Sequence, residues 1–144
     1  MYKKILVATD LISSEDNPVL NRANEMSQFY NAELHVIHVV ERIYTYGTPP
    51  FPQDFVEWQK EFVKVAEAKL QKLCHSLGVL PDNQHVPVGN PKELVIEKAN
   101  EIGVDLIVLG SHSRKGLSYL LLGSTADGVV HASNRDVLVV RVKP

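Results

Sequence analysis

The residues best suited to chemistry lie between Asp105 and Thr125, where two glycine positions frame a polar loop. Gly110 ends an unbroken apolar run, and Gly123-Ser124-Thr125 begins a segment with helical character. A strand end beside a helix N-terminus exposes backbone N–H groups and the positive end of the helix dipole, and both favour phosphate oxygens. The pattern therefore predicts an anion site. A plain strand-to-helix connection also uses glycines for turning and explains the pattern equally well.

Side chains in the same loop offer further polar groups but no catalytic arrangement. His112 could donate to a phosphate and Arg114 and Lys115 could neutralise one, although solvated surface side chains have the same sequence appearance. The 6 histidines show no metal-ligand spacing such as HExxH, and a single cysteine excludes thiolate zinc sites. Neither GxxxxGK[ST] nor GxGxxG occurs. Because no nucleophile–base pair is present, we do not predict a dedicated enzyme.

Composition limits the partners and the compartment. The net charge is −2 and no block of lysine or arginine occurs, so a nucleic-acid partner is not expected. The apolar run near the N-terminus stops at Thr9, which is too short for a signal peptide or a membrane span. The single cysteine, Cys74, cannot form an internal disulfide and is predicted to pack in a core. We predict a cytoplasmic protein with one domain over residues 1–144.

Alternating strands and helices are predicted to position the loop. Apolar runs predict five strands, at Lys4–Ala8, Glu33–Val40, His85–Gly89, 105–110 and Val137–Val142. His35 and His38 point to opposite sides of the second strand and so cannot share a metal ion. Pro87 places the third strand at a sheet edge, where a missing amide donor costs little.

Four helices are predicted between these strands. They begin near Pro18, Phe55, Pro91 and Ser124, and the first three end at Asn31, Gly78 and Gly103. The second helix has a three-and-four apolar spacing that assigns Trp58 to the buried stripe. Ser124 is the predicted N-cap of the last helix, with Asp127 reaching back to it. Residues 41–54 show no periodicity and are predicted to form a long loop that serves as a lid, contacts a partner or is disordered.

This order predicts an α/β fold in which a parallel sheet lies between helices. In doubly wound sheets, ligands bind beyond the carboxyl ends of the strands, where the winding reverses. If the strand order is 3-2-1-4-5, that point lies between the strand ending near Asp10 and the strand ending at Gly110.

The whole chain resembles the universal stress protein A family. The likeness runs through KKILVATD, LHVIHVV, VGNPKELVIEKANEIGVDLIVLGSHS and LLLGSTADGVVHASNRDVLVVRV. The resemblance implies a Rossmann-like, adenine nucleotide alpha hydrolase-like α/β fold, with five parallel strands in the order 3-2-1-4-5 and helices on both faces. It also implies a cytoplasmic homodimer in which the final strands, Val137 to Val142, meet, and a role in stress response.

Nucleotide-binding members of that family carry G-x-x-G, nine residues and then G-[S/T], which hold ATP phosphates by backbone amides. Gly110 matches the first glycine and Gly123-Ser124 matches the last pair, whereas Ser113 replaces the second glycine. If that position needs a positive φ, the serine Cβ costs about 1 to 2 kcal/mol of strain. Affinity falls tenfold for each loss of about 1.4 kcal/mol, so this strain would weaken ATP binding without necessarily abolishing it.

The same resemblance assigns roles to further residues. Asp10, with Ala8 and Thr9, would lie near adenosine and Mg²⁺, the Val39 backbone would contact adenine, and Ser124 and Thr125 would hold phosphates. The complete predicted nucleotide set is Ala8, Thr9, Asp10, Val39, Gly110, His112, Ser113, Gly123, Ser124 and Thr125, with Asp10 as the candidate metal contact.

Two functions are compatible with the sequence. The first is a regulatory protein that binds ATP and Mg²⁺, with slow hydrolysis left open. The second is a dimeric stress protein that binds no nucleotide and acts on unknown protein partners through its surfaces, including the loop at residues 41–54.

Overall fold

A computed structural model of the chain describes residues 1–11, 17–43, 52–111 and 122–142. Strands and helices alternate through these ranges, and a short 3₁₀ turn at Pro81–Asn83 precedes the third strand. In chain order the elements are β1 (Lys4–Ala8), α1 (Pro18–Tyr30), β2 (Glu33–Ile37), α2 (Pro52–Leu77), β3 (Gln84–His85), α3 (Pro91–Ile102), β4 (Leu106–Gly110), α4 (Ser124–Ala132) and β5 (Asp136–Val140).

The strands form one parallel sheet in the order β3-β2-β1-β4-β5, which confirms the predicted Rossmann-like α/β topology. The winding reverses between β1 and β4, which are direct neighbours through the pairs Ile5–Leu106 and Val7–Val108. The carboxyl ends of these two strands therefore lie side by side, as the position of a ligand crevice requires.

The central strands are buried on both faces because helices cover both sides of the sheet. Ile5 and Val7 pack with α1 and α2, whereas Leu6 packs with α3 and α4. All three side chains are fully buried. An unbroken apolar run in β1 is therefore required, since neither face of a central parallel strand meets water.

The ends of α1 and α3 confirm the predicted boundaries. The Asn90 side chain accepts from the Glu93 N–H at 3.1 Å and so caps the start of α3. Asn31 and Gly103 end α1 and α3 in the left-handed conformation, with φ of 54° and 77°. Glycine, and less often asparagine, adopts this conformation with little strain.

Three predicted strands are shorter in the structure. β2 ends at Ile37, β3 contains only Gln84–His85, and β5 ends at Val140. Beyond β3, Val40 and Val88 form an isolated bridge. Pro87 lies between β3 and Val88 in the sequence and has no N–H to donate to the ladder, which explains the break. The predicted edge position of the third strand is confirmed.

Helix α2 corrects two predictions. It begins at Pro52, inside the segment predicted as a loop. Trp58 and Phe62, which the spacing assigned to the buried stripe, are 48% and 56% exposed. The 26 residues span about 39 Å, roughly twice the length of a five-residue strand, so the sheet cannot cover the whole helix. Its second half does pack against the sheet, through the buried residues Leu70 and Cys74.

Cys74 has the predicted packing role. Its side chain is fully buried, and this burial raises the pKa of the thiol to about 11. Within the described ranges, no helix is both long and apolar enough to cross a bilayer.

Candidate functional site

The end of β4 and the start of α4 are held together by backbone hydrogen bonds around Ser111. The Gly123 N–H donates to the Ser111 carbonyl at 3.1 Å, and the Ser111 N–H donates to the Val140 carbonyl at 2.9 Å. The Ser111 hydroxyl oxygen also accepts from the Val142 N–H at 2.9 Å. The first residues of α4 therefore lie beside the end of β4. His112, Ser113, Arg114 and Lys115 fall outside the described residues.

The prediction that Ser124 caps α4 is wrong. The N-cap is Gly123, whose carbonyl accepts from the Asp127 N–H at 2.9 Å, so Ser124 is already the first helical residue. Among the described residues, no side chain caps this helix. No described side chain therefore supplies a cap to the first-turn N–H groups, which include those of Ser124 and Thr125. An anion at this position would supply hydrogen-bond acceptors and a charge that the helix dipole favours.

The end of β1 is organised around Thr9, which is buried. Its N–H donates to the Ile37 carbonyl at 3.0 Å, and its carbonyl accepts from Nδ1 of His38 at 2.8 Å. Its hydroxyl donates to the Asp10 carbonyl at 2.8 Å and accepts from Nδ2 of Asn17 at 2.5 Å. These bonds occupy the Thr9 donors within the protein. Thr9 therefore orients the neighbouring residues, and its donors are not available to a ligand without rearrangement.

Two residues at this end of the site were not identified from the sequence, His38 and Asn17. A carbonyl oxygen only accepts, so the bond to Thr9 requires the proton on Nδ1 of His38 and leaves Nε2 as an acceptor in the neutral ring. Asn17 is 6% exposed and joins the end of β1 to the start of α1. Its position just before Pro18 is a recognisable N-cap signal, whereas nothing in the sequence signals the tertiary contact of either residue with Thr9.

The described residues of the predicted nucleotide set all lie at the carboxyl edge of the sheet. Ala8 ends β1 and pairs with Ile37 in the ladder, whereas Val39 follows β2 and is half-buried against the α3–α4 side. Gly110 ends β4 and pairs with Val140. The whole described set is Ala8, Thr9, Asp10, Val39, Gly110, Gly123, Ser124 and Thr125. Among residues that the structure describes, no group of three or more histidine, cysteine, aspartate or glutamate side chains could hold a metal ion.

Replacing Asn17 with alanine should destabilise the fold by about 2 to 3 kcal/mol, because it removes both a helix cap and a buried hydrogen bond. The Asn17 side chain accepts from the Leu20 N–H at 3.0 Å and donates to Thr9. Chemical denaturation followed by circular dichroism measures this cost.

Asn17→Asp separates the two contributions, because a carboxylate keeps the cap but cannot donate to Thr9. We expect it to cost about 1 kcal/mol, the worth of the donated bond. Equal costs for the alanine and aspartate variants would show that the cap contributes nothing measurable.

Comparisons with known proteins agree with this fold. The model of the universal stress protein family matches residues 1–141. Universal stress protein A homolog 2 of Coxiella burnetii is 40% identical over 142 residues, covering 99% of this chain and 97% of that protein. The solved structure of universal stress protein UspA from Lactobacillus plantarum matches with a TM-score of 0.80 and 25% identity, covering 97% of this chain and 98% of that one.

A second solved structure carries a ligand in its description. It is a universal stress protein in complex with cAMP, and it matches with a TM-score of 0.60 and 26% identity over 97% of both chains. The family match extends over nearly the whole chain and is supported by sequence and by fold. This chain therefore belongs to the universal stress protein family.

Proposed function

We propose that this universal stress protein binds an adenine nucleotide, ATP, at the carboxyl ends of β1 and β4 and acts as a regulatory protein in stress response rather than as a dedicated enzyme. One observation carries the proposal. The bond from the Gly123 N–H to the Ser111 carbonyl, 3.1 Å long, holds the N-terminus of α4 next to the end of β4, and no described side chain caps this N-terminus. Phosphate oxygens are natural partners for such a group of amides.

The proposed nucleotide has its phosphates at Gly110 and at the first turn of α4, Gly123 to Thr125. Its adenosine part lies towards the ends of β1 and β2, near Ala8 and Val39. Asp10 contacts Mg²⁺ that arrives with the phosphates, since a bound nucleotide supplies the oxygen ligands that Mg²⁺ requires. Thr9 supports this end through its bonds to His38 and Asn17. His112 and Ser113 belong to the proposed set by their positions in the motif alone.

The relative in complex with cAMP gives this proposal independent support, because it extends nucleotide binding to a protein of the same fold. It also raises a choice between ligands. ATP carries three phosphates and gains more than cAMP from a helix N-terminus and from Mg²⁺. The N-terminus of α4 is such a helix end and is held beside the end of β4 by the bond from Gly123 to Ser111, so ATP is the proposed ligand.

Titration calorimetry with ATP, ATP plus Mg²⁺, and cAMP tests this function. We expect binding of ATP that strengthens with Mg²⁺ and exceeds that of cAMP, and we expect the denatured supernatant of purified protein to contain adenine nucleotide by mass spectrometry. Absence of heat with millimolar nucleotide, for protein with native circular dichroism, would refute the proposal. It would favour the alternative of a stress protein that acts through its surfaces alone.

We also propose a homodimer formed through residues Val137 to Val142. β5 is an edge strand of the sheet and carries apolar residues, of which Val137 and Val139 pack on one face and Leu138 on the other. An edge strand presents N–H and C=O groups that a second copy can satisfy. Light scattering after size exclusion tests this arrangement, and the mass of a single chain at micromolar concentration would contradict it.

A cytoplasmic location is part of the proposal, since the one cysteine of the chain is a buried free thiol.

A further inference from the structure

Glu33, His35 and His85 form a continuous hydrogen-bonded cluster on the α3 side of the sheet, on strands β2 and β3, with β1 between them and β4. His35 lies on β2 and is 6% exposed, whereas His85 lies on the edge strand β3. Nδ1 of His35 is 3.1 Å from Nε2 of His85, and Nε2 of His35 is 2.7 Å from Oε1 of Glu33. The proposed nucleotide site uses none of these groups.

The two imidazoles are aligned for sharing a proton. Their ring planes differ by 13° and their centroids are 5.4 Å apart. With a nitrogen–nitrogen distance of 3.1 Å, the hydrogen bond lies on the line that joins the centroids, so the rings meet edge to edge in nearly one plane. The two nitrogens point at each other and do not converge on a third point. This geometry fits one shared proton and does not fit a metal ion.

A count of the protons shows how many the cluster can hold. The Glu33 carboxylate only accepts, so Nε2 of His35 carries a proton. In the neutral pair, Nε2–H of His85 then donates to Nδ1 of His35. One further proton can bind, because the shared proton can move towards either ring and the hydrogen bond survives. A second further proton puts N–H groups on both facing nitrogens, so the bond is lost and two positive rings face each other.

We propose that Glu33, His35 and His85 form an acid-sensitive latch, which holds β3 on β2 while the imidazoles share a proton and releases β3 when both rings are charged. The backbone pairing at this edge is short, although Val86 also packs against the core on the α1–α2 side. β3 pairs with β2 at two positions, Val36–Gln84 and Ile37–His85. Beyond them, the cross-strand bonds that remain are donated by the N–H groups of His38, Val40 and Gly89, at 2.9, 2.9 and 3.0 Å.

The charged groups around the latch set the direction of its pH dependence. The pKa of His85 is lowered from 6.5 to about 4, mainly by burial. The positive charge of Lys98 and the neighbouring His35 lower it further, whereas the negative charge of Glu101 opposes the shift. Lys98 and Glu101 both lie on α3 and form an ion pair of 3.1 Å, while Glu33 lies on β2. Because the folded ring binds its proton more weakly than the free ring, the stabilisation is complete above pH 6.5 and is lost as the pH falls towards 4.

Amide hydrogen exchange measured by NMR from pH 7.5 to 4 tests the latch directly. After correction for the intrinsic exchange rate, we expect the protection of His38, Val40 and Gly89 to fall at least tenfold through the acid range. Asp105 and Ser111 serve as internal references, because their N–H groups donate to the carbonyls of Lys4 and Val140, away from β3. Equal changes at the reporter and reference amides would overturn the proposal.

Two variants decide whether the imidazoles cause the opening. In His85→Gln, a neutral amide replaces the titrating ring, and the acid loss of protection should disappear; its persistence would also overturn the proposal. Lys98→Gln removes a positive charge that lowers the pKa of His85, so the folded pKa moves back towards 6.5 and the acid loss of protection should become smaller. The ion pair of Lys98 with Glu101, whose side chain is 64% exposed, contributes little to stability. Lys64→Gln, on the exposed surface of α2, is the matched control and should leave the profile unchanged. All these readouts are independent of nucleotide, so failure of the proposed function would not affect them.

Discussion

Ser124→Glu is expected to weaken ATP binding at least tenfold while leaving the protein as stable as before, or slightly more stable. Ser124 is exposed and is the first residue of α4. A carboxylate there interacts favourably with the helix dipole, by about 0.3 to 1 kcal/mol. The same carboxylate repels a phosphate in the proposed site, and a penalty of about 1.4 kcal/mol already costs a factor of ten. Calorimetry with ATP and thermal unfolding measure the two effects separately.

Ser124→Gln is the matched control for this experiment, since it introduces a side chain of the same length without the charge. We expect its affinity for ATP to fall less than that of the glutamate variant, and the difference between the two variants to shrink at high salt because ions screen the repulsion. If the glutamate variant bound ATP as tightly as the original protein, the phosphates would lie elsewhere and the placement at α4 would be wrong.

The parts of the site that the sequence predicted are those fixed by local backbone rules. Gly110 follows an apolar run and Pro91 follows a capping asparagine, so the ends of β4 and the start of α3 could be placed without knowledge of the fold. The roles of Thr9 and His38 could not be predicted in this way. Their hydrogen bond joins residues 29 positions apart, and only the parallel pairing of β1 with β2 brings them together. The glycine at the start of α4 was similarly misjudged, because serine is the better capping residue by type alone.

The sheet was predictable for a related reason. Strands buried on both faces need long apolar runs, and their alternation with helices restricts the connections to parallel, right-handed crossovers. The strand order came from the resemblance to a family and is confirmed by the structure. The contact of His35 with His85 could not be predicted, since the two residues are 50 positions apart and only the pairing of β2 with β3 brings them together. Polar clusters that form between strands carry no periodic signal.

Helix α2 shows where periodicity fails, and it supports the second large prediction. Leu70→Ala should cost about 2 to 5 kcal/mol of unfolding free energy, because the Leu70 side chain is fully buried in the core. Trp58→Ala should cost about 1 kcal/mol or less, since a side chain that is 48% exposed leaves no buried cavity when truncated.

Both substitutions replace a large apolar residue with alanine in the same helix, so their effects on helix propensity are similar and the difference reports on packing. Denaturant unfolding followed by circular dichroism gives both free energies, and the Trp58 emission of the original protein should already be that of a hydrated indole. The stripe that includes Trp58, Phe62, Ala66 and Leu70 is continuous in sequence, but the short strands can cover only its second half. Equal costs for the two variants would mean that the first half of α2 packs against another surface in solution. The Trp58 side chain would then be exposed only in a single, unpartnered chain.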